Sequence, residues 1–236
     1  MNLGGISIMR SLIVAAILLV ATGHTLAQPP LDVRPDAFDF GIVPRYSTIY
    51  KDFWIHNPTA DTIRIRKINT GCDCASMPLE RSVIAPGDSV LAEFSWEHGR
   101  KEGAGSRIPH IFVEGIEDGL AVTMTANVSA TPDSAWPLAV KPFKCELSRA
   151  GGVSVDSVVL ALKNRSSEDI KLFLAATPSD YCQYAFPSSV PANSTARAVV
   201  KIKPEYADQE FESSITIGIL DNRKKRLTIP LRRKFY

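Results

Sequence analysis

The residues best suited to chemistry in this chain of 236 residues are few. Cys72 and Cys74 stand one residue apart in the stretch Ile68-Asn-Thr-Gly-Cys-Asp-Cys-Ala75. A thiolate is both a nucleophile and a soft metal ligand. Such a pair can close on itself as a disulfide, stay free or bond another chain, or handle a metal such as copper. In an extended chain, residues two apart point their side chains to opposite faces, so an internal bridge demands a tight turn. A zinc site would need further ligands, and no C-x-x-C or H-x-x-H lies nearby. Cys145 and Cys182 sit farther along, each in a strand-like context. The expected pairing is Cys72 with Cys74 and Cys145 with Cys182; the alternative at the second pair is two buried free thiols.

After residue 27 the histidines are His56, His98 and His110. His56 and His110 fall in strands; His98, in Trp96-Glu-His-Gly-Arg, reads as a solvated loop residue. No Gly-x-Ser-x-Gly elbow, His-Glu-x-x-His or phosphate-binding loop is present. Carboxylates are scattered without a paired constellation. Nothing here specifies an enzyme, and no cofactor is implied.

The elements that carry these residues are strands. Leu120, Val122, Met124, Ala126 and Val128 alternate with small or polar residues, as in a half-buried antiparallel strand. Val90, Ala92, Phe94 and Trp96 repeat the pattern, as do Ile49, Phe53 and Ile55, with Lys51 the exception in that row. Ile170, Leu172 and Leu174, then Ala196 to Ile202, Ile215 to Ile219 and Leu227 to Leu231 continue it. Turns such as Asn57-Pro58, Pro86-Gly87-Asp88 and Asp221-Asn222 separate the runs. Many short strands with regular turns predict β-sandwiches, and the length suits two, divided near Thr131–Pro137 by two prolines and small residues. The basic residues Arg223 to Arg226 and Arg232 to Lys234 read as a solvated hairpin and edge strand.

The N-terminus reads as a leader. Arg10, the apolar run Leu12–Ala21 and Thr25-Leu-Ala27 match a secretory signal cut after Ala27; translation starts at Met1 or Met9. Its removal lowers the formal charge from +2 to +1, which gives no footprint for nucleic acid. The mature chain, with no later long apolar stretch, is expected to be periplasmic or secreted.

Two internal matches occur in the same order: Asn57-Pro-Thr-Ala-Asp-Thr-Ile63 with Asn164-Arg-Ser-Ser-Glu-Asp-Ile170, and Pro86–Phe94 with Pro191–Val199. They suggest duplicated units. The first unit also resembles a known family. Phe38-Asp-Phe-Gly-Ile-Val43, Phe53-Trp-Ile-His-Asn-Pro58, Cys72-Asp-Cys74 and Ile84-Ala-Pro-Gly-Asp-Ser89 look like the bacterial domain-of-unknown-function family 1573, over residues 32–130. The resemblance implies an immunoglobulin-like sandwich similar to the major sperm protein, PapD and ASH group. It brings no activity. The family's motif usually reads S-C-G-C-T, and Asp73 in place of Gly restricts the backbone there.

The fold expected is all-β: a signal peptide (1–27), an immunoglobulin-like sandwich (28–131), a linker (132–137) and a second immunoglobulin-like sandwich (138–236). The expected role is a non-catalytic binding or scaffolding module for another extracytoplasmic protein or envelope component. The alternative is thiol redox or copper handling through Cys72 and Cys74. Tyr50 and Trp54, on the outer face of their strand by alternation, are candidate partner contacts; the alternative is burial of this patch by a neighbouring loop or domain.

Overall fold

The computed structural model describes residues 30–176, 180–220 and 225–236. The expected leader lies outside the described residues, as do Asp221, Asn222, Arg223 and Lys224. No α-helix occurs among the described residues; two single-turn 3₁₀ helices, one of them Pro132–Ser134 in the predicted linker, interrupt the strands. No helix there is long and apolar enough to cross a membrane.

Eight strands of three or more residues precede the linker: β1 (Asp32–Arg34), β2 (Ala37–Pro44), β3 (Ser47–His56), β4 (Ile63–Asn69), β5 (Ser89–His98), β6 (Gly103–Arg107), β7 (His110–Val113) and β8 (Thr123–Ser129). Seven follow it: β9 (Leu138–Lys141), β10 (Ser157–Asn164), β11 (Ile170–Leu174), β12 (Cys182–Ala185), β13 (Thr195–Ile202), β14 (Phe211–Ile219) and β15 (Arg226–Arg233). The sheet β1-β3-β5 ends on the short strand Ala75–Ser76, and β9-β10-β13-β12 forms its counterpart after the linker. Buried apolar side chains gather into two clusters. One holds Phe40, Phe53, Phe94, Ile111 and Met124; the other holds Leu138, Leu160, Val200, Ile215 and Ile229.

The predicted alternation is the physical basis of these cores. Ile49, Phe53 and Ile55 of β3 are buried while Trp54 is exposed. Lys51, the exception in that row, lays its stem inward and its ammonium over the rings of Phe38 and Phe53 at 5.5 and 5.2 Å. Burial lowers its pKa, and the cation–π contacts offset part of the cost of placing a charge there.

One sheet runs through both halves, in the order β11-β14-β15-β2-β8-β6. The join is a parallel bridge, Ile42 of β2 to Leu227 of β15. Thus β15 is an inner strand, a correction to its expected place at an edge. Its outer face and that of β14 are buried as well, by small polar residues that meet the first half. Thr228 Oγ1 donates to Phe40 O at 2.6 Å and pairs with Thr216 Oγ1 at 2.9 Å. Arg226 donates to Asp39 O at 3.0 Å. Gly41, in the Phe-Asp-Phe-Gly motif, makes the approach feasible. It sits at φ +67°, and a Cβ there would lie 2.0 Å from Arg226 O, so only glycine fits.

Arg233 corrects the solvated reading of the C-terminal basic cluster. It continues the inward row Leu227, Ile229, Leu231 and is fully buried. Its guanidinium donates to Leu147 O and Ala207 O and pairs with Asp156 at 3.2 Å. By contrast Arg232 and Lys234 pair with Glu212 and Glu210 at the surface.

The internal matches correspond to the same local network. Asn57 and Asn164 are both fully buried. Asn57 donates to the carbonyls of Asp61, Ile84 and Ala85 and accepts from the amide and hydroxyl of Thr59. Asn164 donates to the carbonyls of Glu168, Val190 and Pro191 and accepts from the amide and hydroxyl of Ser166. A planar amide is used in full in both places.

Candidate functional site

The Cys72–Cys74 loop leaves the end of β4. Asn69 Oδ1 accepts from the Gly71 amide at 3.1 Å, and Gly71 takes φ +80°, a left-handed turn that suits glycine. Thr70 Oγ1 donates to Ala75 O at 2.8 Å, and the Ala75 amide donates to Cys72 O at 3.3 Å. This is the tight turn that a bridge between residues two apart requires. The sulfurs are bonded, with Cα atoms 5.2 Å apart. Asp73 is exposed and does not take a left-handed backbone, so the turn places its single positive φ at Gly71 and tolerates Asp between the cysteines.

Arg107, the last residue of β6, covers the bridge. Its Nε lies 3.1 Å from Cys72 Sγ and its Nη2 3.1 Å from Cys74 Sγ. The third nitrogen donates to Ser106 O at 2.7 Å, and the guanidinium sits 4.9 Å from the Trp96 ring centroid. Strand β6 lies against Trp96, whose ring would be 3.4 Å from a Cβ at Gly105, an ordinary packing distance. Both cysteines are half-buried. Nothing in the spacing of the sequence links Arg107 to the cysteines, which lie more than thirty residues away.

His98 completes this end of the first half. It is the last residue of β5, only 5% exposed, and its ring lies 4.4 Å from that of Trp96. This corrects the expectation of a solvated loop histidine: the inward row Val90, Ala92, Phe94, Trp96 runs one step further, to His98. Burial, together with the nearby Arg107 charge, lowers its pKa to about 4, so the ring is neutral near pH 7. Its Nε2 has no partner. His56, half-buried, contacts Asp88 O and Ser89 Oγ at 3.1 Å, and His110 stacks on Phe112.

Cys145 and Cys182 are buried free thiols, and the expected bridge between them is not formed. Cys145 pairs alongside Leu231 of β15, whereas Cys182 pairs alongside Ile202 of β13 in the facing sheet. Burial raises their pKa values to about 12 and about 11. Protonated thiols in an apolar core behave as small hydrophobes. The bridge that does form is the one with least leverage on stability. Closing a three-residue loop restrains the unfolded chain by about 1.5 kcal/mol, against about 4 kcal/mol for the long 145–182 loop.

The predicted contact pair Tyr50 and Trp54 shares the outer face of β3 but not a free surface. Tyr50 Oη donates to Glu212 at 2.5 Å and its amide donates to Ser214 Oγ at 3.0 Å, both on β14. Burial and the Glu212 carboxylate raise the Tyr50 pKa. Tyr50 is thus a contact between the halves, while Trp54 is 55% exposed.

A groove of about 840 Å³ lies at the same junction. Asp39, Thr125 and Asn127 help to line it, β6 runs along it, and Trp136, Lys225 and Arg226 belong to the later residues that close it. Asp39 is tied down by the Gly41 amide and Thr125 Oγ1, where β2 and β8 slip register. Trp136 is 56% exposed. The strand β6 terminates its sheet, pairing only with β8 among the described residues. No group of three or more His, Cys, Asp or Glu among those residues could hold a metal.

Residues 31–128 match the family model described as a protein of unknown function, DUF1573. The resemblance read from the motifs is therefore shown for the first half. No curated protein matches the chain. Among solved structures, a protein of unknown function from Porphyromonas gingivalis is similar at 12% identity and TM-score 0.36, over 87% of this chain and all of that one. The ASH/PapD-like domain 7 of human CEP192 aligns at 8% identity and TM-score 0.36, over 52% of this chain and 97% of that one. The Pseudomonas aeruginosa CupB2 chaperone aligns at 10% identity and TM-score 0.29, over 80% and 95%.

Proposed function

We propose that this DUF1573-containing chain is an extracytoplasmic binding or scaffolding module of two immunoglobulin-like units, without catalysis of its own. The observation that supports it is the unpaired edge of β6 lying open along the junction groove. An extended segment of a partner protein could add a strand there, with backbone hydrogen bonds supplying affinity. Small residues on β6, Gly103-Ala-Gly-Ser106, leave room for a close approach. Arg107, Lys225 and Arg226 favour an acidic segment, and Trp136 offers the aromatic anchor that such interfaces favour. Tyr50 is committed to the junction, so of the two predicted contacts only Trp54 remains available, on the face of another sheet.

The test is a photocrosslinking amino acid placed at Ser106, and separately at Lys163 on β10, in cells that export the protein. A discrete adduct from Ser106 alone, lost on Trp136→Ala, is expected. No adduct, or the same adducts from both positions, would sink the reading. Intact mass of the exported protein tests the leader: the expected N-terminal residue is Gln28.

A further inference from the structure

We propose that Cys72–Cys74 is an exchange-active disulfide, opened by the thiolate of a dithiol partner, with Arg107 holding the sulfur that leaves. This goes beyond the binding reading and does not depend on it: the bridge can exchange whether or not a strand is added at the β6 edge, and because Arg107 also lines the groove, the Ser106 adduct is scored separately from the rate of reduction. Two observations on geometry carry it. The guanidinium places one N–H donor 3.1 Å from each sulfur, so whichever sulfur is attacked, the other already faces a cation. Both cysteines are also only partly buried, in a surface loop whose neighbours Gly71 and Asp73 are exposed, so the bridge lies near the surface and not in the core. Arg107 is itself held, by Ser106 O and the face of Trp96, so the charge does not have to be recruited during the step. A positive group beside a thiolate lowers its pKa and makes it a better leaving group.

The chemistry balances without any other reagent. One thiolate of the dithiol attacks Sγ of one cysteine. A new S–S bond forms, the 72–74 bond breaks, and its electron pair departs on the second Sγ beside Arg107. The dithiol's other sulfur, as thiolate, then attacks the mixed disulfide. The dithiol leaves oxidised, and Cys72 and Cys74 keep two electrons as thiolates or, with two protons, as thiols. Cys145 and Cys182 are shut inside the second core, so they take no part and the exchange partner must come from outside.

The experiment uses the purified oxidised protein with dithiothreitol as the probe. Reduction at pH 7 is followed by alkylation and mass, and the reduced cysteines are then alkylated across a pH series. Wild type is compared with Arg107→Met and Arg107→Lys, with the far-ultraviolet circular dichroism spectrum and the urea midpoint as the controls for folding. Arg107→Met is expected to raise the midpoint of the alkylation profile by about one unit and, because exchange rates follow thiol pKa with a slope of about one half, to slow reduction by about threefold. Arg107→Lys is expected to fall between. Equal rates and equal profiles in wild type and Arg107→Met would overturn the proposal; so would a bridge that dithiothreitol reaches only after unfolding. If Arg107→Met does not fold, the wild-type profile decides. A midpoint clearly below the ordinary cysteine value of about 8.5 supports the proposal, and one at or above it refutes it.

Discussion

Replacing Asn164 by alanine removes an amide that makes five hydrogen bonds inside the second half. Three carbonyls lose a donor and the Ser166 amide and hydroxyl lose an acceptor. The side chain has two N–H donors and one acceptor oxygen, so four single bonds are a fair count of what is used. At about 1 kcal/mol net for each, the loss is about 4 kcal/mol. Water reaches the turn carbonyls in part and lowers this, whereas the fully enclosed ones raise it, which brackets the cost at roughly 3–5 kcal/mol. Urea unfolding followed by far-ultraviolet circular dichroism, with Trp96 fluorescence in a Trp54→Phe, Trp136→Phe background as a second probe, measures it. Trp96 lies in the first core, so a matching shift in its transition reports whether the joined sheet couples the two halves. Asn57→Ala, which removes the same set of contacts, should cost the same to within about 1 kcal/mol. Asn164→Asp should be worse than alanine at pH 7, because a carboxylate would face three carbonyls. Its folded pKa would be raised, so that variant should recover stability as pH falls. A loss below about 1 kcal/mol for both alanine variants would refute the assignment of these residues as the structural centres of their turns.

Gly41→Ala should cost several kcal/mol, of order 3 or more, because its Cβ meets the β15 backbone as well as a left-handed φ. Gly71→Ala, with open space around it, should cost only about 1 kcal/mol, and thermal melting separates the two. His98 is neutral in the folded protein down to about pH 4 but protonates near 6.5 when unfolded. The folded state therefore binds fewer protons between those values, and stability is present above pH 6.5 and falls as pH drops toward 4, by roughly 2–3 kcal/mol. His98→Phe should remove that part of the pH dependence; an unchanged slope of urea midpoint against pH between 7 and 4.5 would contradict it. Alkylation of the native protein should label no cysteine. Denaturant alone should expose two, mapping to Cys145 and Cys182, and denaturant with reductant should expose all four.

Much of this architecture could be read from the sequence because it is written locally. A strand with one face in a core must alternate, and the rows Val90 to Trp96 and Leu227 to Leu231 do so. The paired Asn turns were legible as matched segments, since a buried amide that organises its own turn needs a particular residue at a particular place. His98 and Arg233 were within reach: each continues an apolar row by one step, and only their polar type argued against burial. Other features left no local trace. The bridge between β2 and β15 joins segments on opposite sides of the linker, and Gly41 reads equally well as a turn residue. Arg107 reaches the cysteines through the packing of β6 against Trp96, which no spacing rule encodes. The free state of Cys145 and Cys182 depends on strand positions in facing sheets, which the cysteine count leaves open.

The bridge between β2 and β15 also bears on how the protein is made. A chain synthesised from its N-terminus delivers β2 long before β15. Until residues 226–233 emerge, the edge of β2 beside Ile42 has no partner, and the Phe40 carbonyl lacks the hydroxyl that later satisfies it. An open edge of this kind invites pairing with other chains. Completion of the first half is therefore timed by the last strand of the second, and chains that stop short of β15 leave this edge of β2 open to such pairing.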